Sequence, residues 1–325
     1  MLEEVTFREE ELLASSIAGL IGDARHVAVG AASPIPAAAA MLARERGGGR
    51  RASCRLRTAR RDRGGLCALS RPARLREESS VNFLPEELLA DTIMRLIGDV
   101  RHVAVGNASP IPATASLLAR ARGNGRPYVS LLGSQKHTFW TDGGRELFDC
   151  AGQGRIDAFF LSGAQIDGEA NINLVSVGDY AHPKARFPGS FGSAYLYYVV
   201  PKVILFRLEH TRRTLVEKVD FVSAPGASAD NVHRPGGPFA LITNRCLFAF
   251  DRRRRRFTLT SVHPGHSVAE VEENTGFAFD RGADVPATPA PSREDLRILR
   301  TVVAPQLTEV YPQFAANVFG VRQPA

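Results

Sequence analysis

Polar side chains are concentrated in one stretch of this 325-residue chain, residues 161–187. Three amides are spaced along it among turn-forming glycines and aspartates. They are those of Gln165, Asn171 and Asn173. Amides in such positions could orient a water molecule or an enolate, and the backbone N–H groups near Gly163 and Ala164 could hold an oxyanion. The competing interpretation is a hairpin whose polar groups only satisfy its own backbone.

Three further residues have side chains that could take part in a reaction. Asp179 and His182 lie in the segment GDYAHPK. The competing, non-functional interpretations are that the aspartate caps a turn and that the histidine is structural. Ser134 is a candidate nucleophile, but its surroundings do not form the G-x-S-x-G elbow. The sequence has no metal-ligand cluster, and its main body has neither G-x-G-x-x-G nor a Walker motif. We therefore predict no bound metal, dinucleotide or nucleoside triphosphate.

Short apolar runs would position these residues. Strands are predicted at residues 102–105, 128–132, 158–161, 171–177, 202–208, 219–222, 238–243, 246–250 and 257–262. Helices are predicted at residues 87–97, 113–122, 146–152, 267–274 and 292–303. Asn107 and Pro110 fall in the loop after the first strand, where proline suits the first turn of a helix. The β-α-β order predicts an α/β domain with an open, mostly parallel sheet and helices on both faces.

The overall composition is that of a globular protein, with 44% hydrophobic residues. The four cysteines are scattered without a C-x-x-C pair, so neither a disulfide framework nor a zinc site is predicted. No apolar run approaches the length of a membrane span, and the acidic, amphipathic N-terminus is unlike a secretory signal. We therefore expect a cytoplasmic protein that does not associate with membranes.

Residues 1–80 differ in character from the rest of the chain. Residues 11–50 repeat residues 87–126 with about three quarters of the positions identical, so residues 1–50 are predicted to be a partial duplicate of the first α-β-α unit. Between Arg50 and Ser80 lie ten arginines and three acidic residues, and 10 − 3 = +7 is the whole formal net charge. We predict that residues 51–80 form a disordered linker and residues 81–325 the main folded domain. The remainder is formally neutral, so no nucleic-acid partner is expected. The alternative interpretation is a basic arm that binds nucleic acid or membrane lipid, although arginine runs without interleaved aromatic residues carry little recognition chemistry.

Several motifs occur in the order found in one known family. They are HVAVGNASPIP (102–112), GAQID (163–167), GDYAHPKARFPGS (178–190), VDFVSAPG (219–226) and ENTGFAFD (273–280). Together they resemble the beta subunits of class I CoA-transferases of the glutaconate type, over about residues 83–303. The resemblance implies a CoA-transferase fold and a CoA thioester as substrate, with no permanently bound cofactor. It also implies a separate alpha-type subunit as partner.

The resemblance further implies a covalent mechanism and a site for it. Class I enzymes use a glutamate that attacks the acyl-CoA thioester and then carries CoA itself. The matching position in this chain is Gly133, followed by Ser134, and no other glutamate lies between Glu87 and Glu146. Three explanations remain open. The partner supplies the carboxylate, or the chain belongs to a related branch that opens a steroid-derived ring by adding water, or the chain only binds.

The resemblance also predicts which loops meet at the thioester. They are Asn107–Pro112, Gly133–Gln135 and Gly163–Asn173, in a cleft between the two subunits. Gln165 and Ser134 are the predicted catalytic residues beside Gly133. The predicted substrate-binding residues are Asn107, Pro110, Gly163, Ala164, Asn171, Asn173, Asp179 and His182.

Overall fold

A computed structural model describes residues 82–138, 140–141 and 143–322 of the chain. The predicted partial duplicate (residues 1–50) and the predicted arginine-rich linker (residues 51–80) lie outside the described residues.

One eight-stranded sheet forms the centre of the described part of the chain. Its strands are β1 (His102–Val105), β2 (Tyr128–Leu131), β3 (Ala158–Leu161), β8 (Lys202–Arg207), β9 (Pro238–Thr243), β10 (Cys246–Asp251), β11 (Arg256–Val262) and β12 (Asp280–Arg281). They lie side by side in the order β12-β11-β10-β9-β8-β3-β1-β2. The pairs from β2 to β9 and the pair β11–β12 are parallel, and only β10 runs antiparallel to its neighbours. The predicted mostly parallel α/β sheet is confirmed.

Helices pack on both faces of the sheet, as predicted. They are α1 (Pro85–Ile97), α2 (Pro110–Arg122), α3 (Gly143–Gly152), α4 (Ser193–Val199), α5 (Val268–Asn274), α6 (Arg293–Ile298), α7 (Ala304–Leu307) and α8 (Pro312–Phe319). Alternate residues of a strand point to opposite faces, so Val103 and Val105 join one core while Ala104 joins the other. Helices α1, α2 and α6–α8 cover the first core, and α3–α5 cover the second. No helix among the described residues is long and apolar enough to cross a membrane.

The C-terminal region is not the single helix predicted over residues 292–303. Helix α6 is followed by a π-helical turn at Leu299–Val303 and then by α7. Pro305 lacks the N–H that would continue the regular hydrogen-bond ladder, and a wider turn accommodates the gap. The π-helical turn also places Arg300 against the buried Glu87 carboxylate, with Nε 2.6 Å from Oε1. That ion pair joins the C-terminal region to the first turn of α1.

Two small hairpins stand between β3 and β8, where one long strand was predicted at residues 171–177. The hairpins are β4 (Gln165–Ile166) with β5 (Ile172–Asn173), and β6 (Ser176–Val177) with β7 (Ala185–Arg186). The strand breaks after Asn173 because its side-chain oxygen accepts the N–H groups of Val175 and Ser176, at 3.1 and 3.2 Å. A local side-chain turn has therefore replaced the sheet ladder at this point.

Candidate active site

The loops that follow β1, β2 and β3 meet at one edge of the sheet. The chain passes from β1 to β2 on one side of β1, and β3 then pairs with β1 on its other side. Open α/β sheets bind ligands outside the carboxyl ends of the strands, at such a reversal of strand order. A cavity of about 610 Å³ opens at this place. We refer to it as the switch-point cleft.

Apolar side chains line most of the switch-point cleft. They are Leu132, Leu147, Phe148, Phe159, Phe160, Leu161, Leu174, Phe191 and Leu196. Its polar groups are the hydroxyls of Ser109, Ser162, Ser190 and Ser193 and the amide of Asn107. None of the lining residues that the structure describes has an ionisable side chain. The cleft can therefore hold an apolar group and shield it from water, but these side chains supply neither an acid nor a charged nucleophile.

A second cavity, of about 590 Å³, adjoins the switch-point cleft. The two share Ser162, Leu174 and Gly189. Arg207 and Arg213 both bind the Glu209 carboxylate in the second cavity, at 3.1 and 2.7 Å. The hydrogen bond from Arg213 lowers the pKa of Glu209, and this effect outweighs the opposing effect of burial. Two guanidinium groups against one carboxylate leave a positive charge, which suits an anionic group such as phosphate.

The loop after β1 brings Asn107 into the cleft and leads into α2, of which Pro110 is the first residue. The side-chain oxygen of Asn107 accepts the N–H of Ala108 at 3.0 Å, and Ala108 has a left-handed backbone with φ of +53°. The N–H of Ser109 donates to the Tyr311 hydroxyl at 3.3 Å. Tyr311, 202 positions away, is thus part of the support of this loop.

The end of β2 presents Leu132, not Gly133, to the switch-point cleft. Gly133 is exposed, and a Cβ added there would meet no atom closer than Val310 Cγ1 at 4.0 Å. Its φ of +91° is nevertheless a conformation that side-chain-bearing residues rarely adopt. The position matched to the family's glutamate therefore has room for a side chain, but its backbone favours glycine. Among the described residues of the cleft, an apolar leucine occupies the strand end.

Ser134 is buried beside the cleft and has two partners within the protein. Its hydroxyl donates to Glu309 Oε2 at 2.8 Å and accepts the N–H of His137 at 2.8 Å. Glu309 Oε1 also accepts the N–H groups of Gln135 and Lys136, at 2.8 and 3.1 Å. Burial acts to raise the pKa of Glu309, but the three hydrogen bonds outweigh it and lower that pKa. Glu309 therefore stays ionised and holds the loop after β2.

Replacing Glu309 by Ala is expected to lower the free energy of unfolding by about 2 kcal/mol, because hydrogen bonds to a charged group are lost and the buried Ser134 hydroxyl loses its acceptor. Hydrogen exchange at the amides of Gln135 and Lys136 should accelerate. Glu294→Ala is the matched control, because Glu294 is exposed and its carboxylate pairs with Arg297 on the surface. Equal exchange rates at these two amides in the wild type and in Glu309→Ala would show that Glu309 does not hold the loop after β2.

Gly163 and Ala164 line the second cavity. A Cβ on Gly163 would lie 2.6 Å from Ile172 Cγ2, so only glycine fits there. The N–H of Ala164 donates to the Asn173 carbonyl at 2.9 Å. The predicted oxyanion role therefore has no free donor at Ala164, because that N–H closes the hairpin.

Gln165 and Asn173 lie together, but beneath the cleft surface. Asn173 is fully buried and donates to Gln165 Oε1 at 2.8 Å and to the Ser176 carbonyl at 2.6 Å. Gln165 in turn donates to Asp220 Oδ2 at 2.9 Å and accepts the N–H of Asp220 at 3.0 Å. These bonds occupy the amides within the protein. They join the β4–β5 hairpin to residue 220 and thereby support the wall of the second cavity.

The remaining predicted residues lie away from the switch-point cleft. Asn171 donates to the Asp167 carboxylate at 3.1 Å and accepts the N–H of Gly226 at 3.0 Å, next to a separate polar cavity. Burial raises the pKa of Asp167 despite its hydrogen bonds.

Asp179 and His182 lie in the exposed turn between β6 and β7, where Asp179 caps the N–H groups of Ala181 and His182, both at 2.9 Å. No group of three or more potential metal ligands occurs within residues 82–322 as described.

The structure is an α/β domain with an apolar cleft at the switch point and a basic cavity beside it. The sequence profile described as coenzyme A transferase matches residues 74–274, and the chain belongs to that family. The predicted resemblance to beta subunits of class I CoA-transferases is thereby confirmed.

Three known proteins are similar to this chain. It is 34% identical over 222 residues to the beta-type (B) subunit of the 3-oxoadipate CoA-transferase of Pseudomonas knackmussii, a match that covers 66% of this chain and 82% of that protein. It is 29% identical over 172 residues to the cholesterol ring-cleaving hydrolase IpdB subunit of Rhodococcus jostii, covering 50% and 65%. The crystal structure of glutaconate coenzyme A-transferase from Acidaminococcus fermentans superimposes with a TM-score of 0.61 at 24% identity, over 70% of this chain and 98% of that one. The last comparison supports the fold.

Proposed function

We propose that this chain is the beta-type subunit of a heteromeric enzyme that moves CoA between an acyl-CoA and a carboxylic acid. The observation that carries the proposal is the switch-point cleft itself. In a CoA-transferase family member it places an apolar chamber, for the acyl group, beside a cavity with a net positive charge. Arg207 and Arg213 in that cavity suit the phosphate groups of CoA. The alpha-type partner completes the cleft.

The nucleophilic carboxylate of this proposal comes from the partner. The described lining residues of the cleft include no carboxylate, Leu132 occupies the strand end, and Glu309 is held by three hydrogen bonds. The partner's carboxylate oxygen attacks the thioester carbonyl carbon, and the C–S bond breaks to release CoA thiolate. The thiolate then attacks the enzyme carbonyl of the resulting anhydride, which frees the product acid and leaves an enzyme–CoA thioester. An acceptor carboxylate reverses these steps. The apolar cleft protects the intermediates from water.

A second candidate function is hydrolysis of the acyl-CoA, or of a ring within its acyl group. The absence of a carboxylate from the described part of the cleft favours this alternative, because water then becomes the nucleophile. The sequence similarity to a ring-cleaving hydrolase subunit points the same way. In that case the hydroxyls of Ser109 and Ser162 are the groups of this chain placed to orient a water molecule or an enolate.

Trapping experiments on the complex of this chain with its co-purifying partner distinguish the two functions. A transferase should lose activity to hydroxylamine or borohydride only after acyl-CoA is added, because the enzyme–CoA thioester is the target. Preincubation of the enzyme with reagent but without acyl-CoA is the control. A hydrolase should resist both reagents, need no acceptor acid, and place heavy oxygen from labelled water in the product. A complex that binds acyl-CoA without turnover would identify a chain with a purely binding role.

The proposal includes a domain assignment and a compartment. Residues 81–325 form the catalytic domain, since the family match spans residues 74–274, and residues 1–80 are a disrupted duplicate that activity does not require. The cytoplasm is the proposed location. The described cysteines, Cys150 and Cys246, are buried free thiols, which suits a reducing compartment.

A further inference from the structure

One phenylalanine at the mouth of the switch-point cleft is both exposed and poorly suited to its backbone. Phe191 is 82% exposed, more than the other large hydrophobic residues of the described chain. Its φ of +38° lies in the left-handed region, and Gly189 and Gly192 on either side have φ of +108° and +76°. Glycine is the usual occupant of such a position, and an exposed phenyl ring gains little from burial. The unfavourable backbone conformation and the exposed ring therefore occur together at a residue that lines the cleft.

The ring of Phe191 extends an aromatic wall of the cleft. Its centroid lies 6.1 Å from that of Phe148, which in turn makes an edge-on contact with Tyr195 at 6.1 Å. A Cβ placed on Gly144 would lie 3.6 Å from the Phe191 ring, so the segment that begins α3 also reaches this wall. The other large side chains of the 610 Å³ cleft are leucines and phenylalanines, and none of its described lining residues is charged.

From these observations we infer that the cleft accepts a bulky apolar acyl group, and that Phe191 is the specificity-determining residue that covers it. The inference rests on the proposed function and names the substrate class of the same site. An acyl chain or ring of hydrocarbon would bury the exposed face of Phe191, which accounts for an aromatic ring on a glycine-type backbone. An acyl group with a second carboxylate would meet no cation within the described cleft. Arg207 and Arg213 line the adjoining cavity and not the switch-point cleft.

The test measures kcat/KM of the complex with its partner for octanoyl-CoA, cyclohexanecarbonyl-CoA and glutaryl-CoA, with and without an acceptor acid. The wild type should prefer the two apolar thioesters. Phe191→Gly restores the usual residue of this backbone conformation, so folding is preserved. It should lower kcat/KM for the apolar thioesters about tenfold and leave glutaryl-CoA within about twofold. Phe191→Leu should recover part of the loss. Tyr128→Ser is the control and should change none of the three kcat/KM values. Tyr128 is exposed and begins β2, at the end of the strands opposite the cleft.

Two kinds of failure remain distinguishable. Preference of the wild type for glutaryl-CoA, or an equal loss for all three thioesters in Phe191→Gly, would overturn the inference and leave the proposed function standing. No consumption of any thioester, with or without acceptor, would overturn the proposed function and the inference with it.

Discussion

Acidification from neutral pH to about pH 4 is expected to lower the free energy of unfolding by a net value of about 3 kcal/mol, chiefly because two histidines that stay neutral when buried take up protons once the chain unfolds. His210 accepts from the Thr243 hydroxyl at 2.8 Å and donates to Thr275 at 2.9 Å, where the Thr275 hydroxyl is already committed as a donor to a carbonyl. His263 lies between Thr288 at 2.8 Å and the Thr243 carbonyl at 3.1 Å. Both rings are fully bonded when neutral, and a second ring proton would face a hydroxyl proton.

The sign of the effect follows from the pKa values. Burial lowers the pKa of His210 to about 4, with Arg245 and His266 acting in the same direction and Glu270 against it. Burial also lowers the pKa of His263 to about 4. Between pH 6.5 and 4 the unfolded chain therefore binds more protons, and stability falls by about 3 kcal/mol for each histidine. Burial raises the pKa of Asp91 to about 6, so protonation of this group on acidification offsets about one of these contributions.

Urea denaturation at a series of pH values measures the effect. His263→Gln should flatten the curve between pH 6.5 and 4 and lower stability at neutral pH. Asp91→Asn should steepen the acid loss, since the offset disappears. His182→Gln, at a side chain that is 92% exposed, should leave the curve unchanged. A wild-type curve that is flat from neutral pH to pH 4 would show that the two imidazoles are not held neutral in the folded chain.

Asn173→Ala is expected to destabilise the chain by about 3 kcal/mol, because a fully buried amide with four protein partners is removed. Gln165 and the Ser176 carbonyl lose a donor, and the N–H groups of Val175 and Ser176 lose their acceptor. The turn between β5 and β6 should loosen as a result. Leu174 and Val177, which line the second cavity, should then lose their positions.

Asn171→Ala is a matched control for this substitution. It removes an amide from the same hairpin, but Asn171 is only half-buried and supports a different surface, so a loss of about 1 kcal/mol is expected. Denaturation midpoints and CoA-thioester binding by the complex are the two readouts. Equal losses for the two variants would show that Asn173 is not the residue that closes the hairpin. Because Asn173 and Gln165 support the fold, a loss of activity in their alanine variants is expected to follow their loss of stability.

Much of the sheet could be predicted because the residue types within each strand indicate whether its two faces are buried. Residues 103–105 of β1 and the run AFFL at β3 are apolar on both faces, which is typical of buried parallel strands. The family motifs also located the strand-end loops that meet at the switch point. The pattern around Asn173 misled, because its alternation with Ile172 suggested one buried and one exposed face. Both residues are fully buried, since the hairpin is covered on both sides.

The residues that sequence reasoning missed act over long distances along the chain. Glu309 binds Ser134 across 175 positions, and Tyr311 binds Ser109 across 202. No local pattern distinguishes that glutamate from a surface one, so only the packing of the turn after α7 could reveal it. Leu132 was overlooked because the family's glutamate aligns with the glycine beside it. A count of which residue of a strand end faces the cleft would have identified it.

The start of α2 has a consequence for the kind of chemical group that this edge of the sheet can recognise. A helix usually presents the positive end of its dipole together with several free N–H groups, which makes a cradle for phosphate. Two of the first three residues of α2, Pro110 and Pro112, have no N–H at all, which leaves Ile111 as the sole amide donor of that turn. The partial positive charge at the start of the helix remains, but only one N–H of these three residues can donate a hydrogen bond. A helix start with a single amide donor is poorly suited to the several oxygens of a phosphate, so this end of α2 is not a phosphate cradle of the usual kind.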